Sequence, residues 1–253
     1  MIINTAAYQF VAIHDPQQLA DSVLSHADRQ VLKGSVLVAE EGINLFLAGE
    51  AEQIDAFYAW LQTDSRFAQM RIKYSLSAQQ PFARLKVKLK PEIISFRRDD
   101  ASPLQGRAPT VTPSVLREWI RQGHDDRGHP LVLLDTRNAQ EVEYGTFQGA
   151  LTLRIDKFTE LPSALGPHSA ALADATVVSF CTGGIRCEKA ALWMQAEGMD
   201  NVLQLEGGIL GYFEDVGGEG YDGCCFVFDE RVALDPELRP LVDAQRSAAA
   251  GEI

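Results

Sequence analysis

Residues 177–190 limit what this chain can fold into more than any other stretch. They read Val177-Val178-Ser179-Phe180-Cys181-Thr182-Gly183-Gly184-Ile185-Arg186-Cys187-Glu188-Lys189-Ala190. The β-branched and aromatic run predicts a buried strand. It delivers Cys181 into a short loop with two glycines, after which a helix is predicted from about Glu188 to Gly198. Strand, loop and helix in this order form the repeating unit of a parallel α/β sheet, whose reactive groups gather at the carboxyl ends of the strands. Cys181 stands at such an end.

A thiol reacts as its thiolate, and its pKa falls near a helix N-terminus or a fixed cation. Both are supplied here. Gly183 and Gly184 permit the dihedrals that turn successive backbone N–H groups inward, and Arg186 adds a permanent charge with a planar donor fork. The loop Thr182-Gly183-Gly184-Ile185-Arg186 would therefore stabilise a thiolate, a persulfide or a bound oxyanion on Cys181. Protein phosphatases of the cysteine type place the arginine six positions after the cysteine, usually with a histidine before it. Here Arg186 is five positions on and Phe180 comes first, so the cradle is one residue short for a tetrahedral phosphate. The pattern Cys-x-x-Gly-x-Arg resembles the active loop of rhodanese domains, which carry sulfur on the cysteine as a persulfide. The competing explanation is a buried structural cysteine ahead of a helix. Both glycines and Arg186 in register after a strand weigh against it.

The 253 residues suffice for one large domain or two ordinary ones, and 46% hydrophobic with 23% charged residues is a globular composition. The start lacks the basic and apolar regions of a secretory signal, and no apolar run approaches the roughly 18 residues of a membrane helix. A cytoplasmic protein without membrane contact is expected, and no stable protein partner is evident. The four cysteines, Cys181, Cys187, Cys224 and Cys225, lie in the C-terminal third and make no disulfide framework for two domains. Adjacent Cys224 and Cys225 are awkward joint ligands and no Cys-x-x-Cys pair exists, so no metal site is expected. Both are read as structural.

A net charge of −12 argues on its face against nucleic acid. The distribution qualifies that. From Arg71 to Arg98 the chain carries Arg71, Lys73, Arg84, Lys86, Lys88, Lys90, Arg97 and Arg98 against the single acid Glu92. Within it, Arg84-Leu85-Lys86-Val87-Lys88-Leu89-Lys90 alternates basic with apolar, so one face packs and the other presents cations spaced for phosphates. An edge strand whose lysines block aggregation explains the pattern equally well.

Taken in order, a strand is expected over about residues 5–13, then a helix to about Gln30 with Asp15 as N-cap and Leu19, Val23 and Leu24 on its apolar face. Strands over 35–39 and 44–48 flank a tight turn. A helix over about 51–63 buries Ile54, Phe57, Trp60 and Leu61, and a strand covers 70–76. This β-α-β-β-α-β order is that of a ferredoxin-like sandwich. Residues 99–112, with Asp99-Asp100, Gly106 and prolines, are expected as a linker. A helix follows to about Gln122. Leu131-Val132-Leu133-Leu134 then reads as a buried parallel strand, followed by a short helical region near 156–165, the Cys181 unit and a strand over 202–205.

The second half matches rhodanese domains at three separated places: Asp135-x-Arg137 with Glu141 and Tyr144-Gly145, Cys181 to Arg186, and Glu206-Gly207-Gly208. Asp135 and Arg137 are expected to brace the loop without touching substrate, as a salt bridge, with Glu206 in the same supporting layer. Together with Glu41-Gly42-Ile43-Asn44, Pro81-Phe82-x-Arg84-Leu85-Lys86-Val87-Lys88, Gly145-Thr146-Phe147-x-Gly149-Ala150 and Cys225-Phe226-Val227-Phe228-Asp229, these motifs resemble the oxygen-dependent tRNA uridine hydroxylases over about residues 5–235.

That resemblance implies an α/β protein with an N-terminal ferredoxin-like, acylphosphatase-like α+β sandwich and a rhodanese-like parallel α/β domain. The expected divisions are a ferredoxin-like, tRNA-binding domain over 1–98, a linker over 99–112, a rhodanese domain over 113–235 and a polar tail over 236–253. It further implies formation of 5-hydroxyuridine at the wobble position of tRNA, with molecular oxygen as co-substrate and no other cofactor evident. Cys181 is then the essential cysteine, Thr182 to Arg186 frame the reacting centre, and Arg84, Lys86, Lys88 and Lys90 contact tRNA. Longer members continue with a cysteine-bearing tail that this sequence lacks. Cys181 could add to C6 of uracil, or deliver oxygen from an oxidised or persulfide sulfur. Cys187 could resolve an oxidised Cys181, but a packing role is expected, because the predicted helix start points it away from the loop. Two other function classes compete: a thiosulfate-type sulfurtransferase with a persulfide on Cys181, and a non-catalytic rhodanese module that binds RNA.

Overall fold

The computed structural model describes residues 1–241. Of the expected tail over 236–253, residues 242–253 lie outside the described residues. The chain divides into two units, one of Met1–Ser95 with Phe228–Val232 and the described residues from Arg239 on, the other of Phe96–Val227 with Ala233–Leu238.

Period-two apolar patterning builds the first unit. Its elements are β1 (Ile2–Phe10), α1 (Pro16–Arg29), β2 (Lys33–Ala39), β3 (Gly42–Gly49), α2 (Ala51–Leu61), β4 (Ile72–Ser77) and β5 (Leu85–Leu89). The sheet order is β4-β1-β3-β2-β5, antiparallel except where β5 joins β2 in parallel. The first four strands have the expected ferredoxin-like arrangement, and β5 extends it at one edge. Ile43, Leu45 and Leu47 of β3 and Val36 and Val38 of β2 bury completely against Val23, Ile54 and Phe57 of the helices. Each such side chain contributes about 1.5–3 kcal/mol on burial. Gly34 is required where β2 crosses β3, because a Cβ there would lie 1.9 Å from the carbonyl oxygen of Phe46.

Three local expectations are corrected. β1 begins earlier and ends at Phe10, because Val11 and Ile13 bond instead to the carbonyls of Glu41 and Glu40 in the β2–β3 turn. Asp15 makes no side-chain cap; its carboxylate is taken by Arg66 at 2.6 Å. Leu24 is exposed, and Ala20 and Ala27 share the buried face of α1 with Leu19 and Val23.

In the second unit strands and helices alternate. Its elements are β6 (Thr110–Val111), α3 (Pro113–Gln122), β7 (Leu131–Asp135), α4 (Ala139–Val142), β8 (Gly145–Phe147), β9 (Leu151–Thr152), α5 (Leu161–Leu165), α6 (Ser169–Leu172), β10 (Thr176–Phe180), α7 (Ile185–Ala196), β11 (Val202–Leu205), α8 (Gly208–Val216), β12 (Tyr221–Gly223), β13 (Cys225–Phe226) and β14 (Ala233–Leu234). The main sheet has the order β6-β11-β10-β7-β9 and is parallel throughout. All five residues of β10, its middle strand, are buried. Thr112 caps α3 by accepting from the Val115 N–H, and Gly123 ends it in the left-handed conformation. Residues 99–112, expected as a linker, carry a 3-10 turn at Asp99–Ala101 and the strand β6, with Ala101, Ala108 and Val111 buried.

Candidate active site

The loop that carries Cys181 leaves β10 at Phe180 and enters α7 at Ile185. The helix therefore starts three residues earlier than the sequence suggests. Gly184 is its N-cap with φ of 100°, a conformation other residues rarely adopt, and its carbonyl accepts from the Cys187 N–H at 3.0 Å. Arg186 and Cys187 thus belong to the first helical turn. The expected Gly207-Gly208 turn packs against the same loop. The N–H groups of Ile209 and Leu210 donate to the carbonyls of Cys181 and Thr182 at 2.9 and 3.1 Å. Gly208, with φ of 63°, sits so close that a Cβ would meet the Cys181 oxygen at 2.5 Å and the Gly184 nitrogen at 2.7 Å.

Cys181 is buried, while the adjoining Thr182 and Gly183 are half-buried. Its sulfur accepts from the Gly184 N–H at 3.2 Å. The thiol of Cys187 is turned toward it and hydrogen-bonds to it, which corrects the expectation that Cys187 points away. The early start of α7 causes the difference. Thr136 lies on the other side of Cys187, its Oγ1 3.7 Å from the Cys187 sulfur and donating to the Phe180 carbonyl at 3.0 Å.

Burial alone would raise the Cys181 thiol. The hydrogen bond from Cys187, the charge of Arg186 and the backbone N–H groups of Arg186 and Gly184 overcome it and hold Cys181 well below its ordinary value. Burial, then the hydrogen bond to Cys181 and its negative charge, push Cys187 well above. Of the two sulfurs Cys181 is therefore the one that ionises first, with Cys187 as the donor to it. Cys225, buried at the start of β13, is pushed up to about 12 by burial, as suits a packing cysteine.

Arg186 is held as well as charged. Its Nη1 and Nη2 donate to the two carboxylate oxygens of Glu141 at 2.6 and 2.7 Å, and the Thr182 hydroxyl donates to the same carboxylate at 3.2 Å. Burial raises the Glu141 carboxyl, but the charge and hydrogen bonds of Arg186 outweigh it and leave it lowered. Glu141 and Thr136 reach the surroundings of Cys181 although sequence reasoning gave neither a role there, naming Glu141 only as part of the Asp135-x-Arg137 motif. The signal for Glu141 was the spacing Asn138-x-x-Glu141, a capping box in which the Glu141 carboxylate accepts from the Asn138 N–H at 3.1 Å.

Asp135 and Arg137 form a fully buried bidentate salt bridge, 2.6 Å at its shortest. Asp135 also accepts from the Thr146 hydroxyl at 2.8 Å, and Arg137 donates to the Gly145 carbonyl at 2.7 Å. The bonds named here join β7 to β8. Glu206 is half-buried after β11, and its N–H donates to the Val111 carbonyl at 2.9 Å. Arg84, Lys86, Lys88 and Lys90 lie in the first unit, on β5 and its flanks, with all four exposed and Leu85 and Val87 between them turned to the core.

Comparison with known proteins places both units. Residues 2–93 match the UPF0176 acylphosphatase like domain, and residues 112–215 match the Rhodanese-like domain. A protein of Xanthomonas campestris pv. campestris (strain 8004) named tRNA uridine(34) hydroxylase is 84% identical over 253 residues, the whole of both chains. The chain belongs to the tRNA uridine(34) hydroxylase family. The Xanthomonas euvesicatoria pv. vesicatoria (strain 85-10) member of this hydroxylase family is 85% identical over 248 residues, covering 98% of this chain and all of its own. The member from Xylella fastidiosa (strain 9a5c) is 69% identical over 243 residues, covering 96% of this chain and 95% of its own. The hydroxylase fold thus joins an acylphosphatase-like unit to a rhodanese-like parallel α/β unit. Among the described residues no helix is long and apolar enough to cross a membrane.

Proposed function

We propose that this chain hydroxylates C5 of uridine 34 in tRNA, using molecular oxygen, and that Cys181 is the reacting group. The family relatives are named for tRNA uridine 34, which supplies the substrate. The observation that carries the chemistry is the Cys181 sulfur, accepting from the Gly184 N–H at 3.2 Å and from the Cys187 thiol, with the charge of Arg186 alongside. A sulfur so placed is a nucleophile without any further base. Action on tRNA sets the work in the cytoplasm.

Uracil C5 does not attack oxygen unaided. Addition of the Cys181 thiolate to C6 breaks the C5=C6 bond and moves its electron pair to C5 and the O4 carbonyl. C5 then bonds to oxygen, and a proton completes a hydroperoxide. Two electrons and a proton pair from a thiol reductant cleave the O–O bond, leaving C5–OH and water. Loss of the remaining C5 proton expels Cys181. The sum is one O₂, two electrons and two protons consumed, with 5-hydroxyuridine and water formed. The positive field of Arg186 and the helix N-terminus favours the thiolate both before addition and on departure.

The test is nucleoside mass spectrometry of tRNA from cells lacking the gene, complemented with the parent chain or Cys181→Ser. Loss of 5-hydroxyuridine derivatives, restored by the parent alone, is the expected result. Unchanged hydroxylation in a strain without a second pathway refutes the proposal and makes sulfur transfer from thiosulfate the leading activity.

A further inference from the structure

The first unit presents an aromatic ring where a sheet of this kind can meet a base. Residues opposite one another on paired strands share a face, so the register sets Lys73 of β4, Ala6 of β1, Phe46 of β3, Ser35 of β2 and Lys86 of β5 in one row across the sheet. This is the face away from the helices. Leu45 and Leu47 beside Phe46 are buried completely in the core, whereas Phe46 is 38% exposed. Ala6 and Ser35 on its two sides are short and leave the ring standing above its neighbours.

Other parts of that face are covered from within the unit. The Asn44 amide donates to the Ile93 carbonyl at 3.3 Å, and Arg231 donates to the Ser75 hydroxyl at 2.6 Å. In the row of Phe46, Lys73 at the β4 end is buried, while Phe46 itself and Lys86 at the β5 end stay open. Lys86, in the same row, is exposed, and Lys88 follows on the same face of β5. In a chain of net charge −12, cations beside an open ring are a local exception to the overall field. Sheets of four strands bind single-stranded RNA by stacking unpaired bases on aromatic side chains of this kind, with basic side chains on the phosphates.

We propose that Phe46 is a stacking platform for an unpaired base of the RNA substrate, with Lys86 and Lys88 on the adjoining phosphates. This rests on tRNA being the substrate, and it adds a base contact to what the basic strand alone would provide.

The experiment measures binding of the full chain to an unmodified tRNA transcript and to a uridine heptamer by fluorescence anisotropy at several salt concentrations. The variants are Phe46→Ala, Phe46→Leu, Phe46→Tyr and the double variant Lys86→Ala/Lys88→Ala. Phe46→Ala and Phe46→Leu are expected to bind about five- to hundredfold more weakly with the salt dependence unchanged, and Phe46→Tyr within about twofold of the parent. The double variant should bind more weakly and lose about two from the salt slope. Phe46→Leu keeps apolar bulk without a π face, so its loss reports stacking even where Phe46→Ala disturbs the sheet. Unchanged heptamer binding by folded Phe46→Leu overturns the platform, even if the lysine variant weakens. Hydroxylation by the parent chain is assayed in parallel. A parent that hydroxylates while Phe46→Leu binds normally overturns only the platform. A parent that does not hydroxylate while Phe46→Leu loses heptamer affinity supports the platform and overturns the proposed activity.

Discussion

Arg186 and Glu141 meet through two parallel hydrogen bonds of 2.6 and 2.7 Å, both side chains buried, and the same guanidinium lends its charge to Cys181. The carboxylate therefore fixes where the positive charge sits relative to the sulfur. Glu141→Gln would strip the buried Arg186 of its hydrogen-bonded carboxylate and leave the Cys181 sulfur as the acidic group beside it. Removing one partner of such a pair costs about 3–5 kcal/mol. We expect a loss of that size in denaturant unfolding of the second unit, with little residual activity. An unfolding free energy within about 1 kcal/mol of the parent would show that the pair does not hold the loop.

Cys187 supplies the second prediction. Because Cys181 is held below its ordinary value, its reaction with a small alkylating agent should persist at pH values under the usual thiol pKa of about 8.5 and fall only as pH drops through the lowered value. Cys187→Ala removes a hydrogen-bond donor to the anion, so the midpoint should move up. Cys187→Ser keeps a donor and should move it less. Mass spectrometry of alkylated Cys181 against pH reads the midpoint. An unmoved midpoint in Cys187→Ala would mean that Arg186 and the backbone N–H groups suffice.

These two residues also show what the sequence could convey. The strand, the cysteine, the glycines and the arginine were legible because each has a strong local signature, and the ferredoxin-like order followed from apolar periodicity. The start of α7 was not. Residues 185–187 carry no capping side chain, and the helix begins there only because Gly184 adopts a positive φ and offers its own carbonyl. That shift of three residues decides the direction of Cys187. Glu141 was visible as part of a motif, but its bond to a residue 45 positions away is a product of the fold. Asp15 failed as a cap for the same reason, since Arg66, distant in sequence, competes for its carboxylate.

Gly208 gives a steric prediction. An alanine there would press against the Cys181 carbonyl and the Gly184 nitrogen, both backbone atoms, in a positive-φ conformation. Gly123 also has a positive φ, but nothing lies within 4 Å of its missing Cβ. Gly123→Ala should therefore cost only the conformational strain, about 1–2 kcal/mol. Gly208→Ala should cost more and should lower activity per folded molecule, because the loop must shift. Equal stability and activity in the two variants would remove the Gly207-Gly208 turn from the site's support.

The Asp135–Arg137 salt bridge separates bracing from chemistry. Arg137 is fully buried and depends on Asp135, with the Gly145 carbonyl taking one further N–H. Asp135→Asn keeps the shape but removes the negative partner of the pair, leaving the buried Arg137 cation without its carboxylate, and should destabilise by about 3–5 kcal/mol. The causes that lower Cys181 are burial's opponents at Cys187, Arg186 and Gly184, and neither member of this bridge is among them. Folded Asp135→Asn should therefore alkylate Cys181 with the parent's pH midpoint, even as its unfolding midpoint in urea falls. Glu141→Gln, by contrast, should shift both. A displaced Cys181 midpoint in Asp135→Asn would show that the strand β7 transmits strain or charge to the sulfur, and Asp135 would then belong with the groups that tune it.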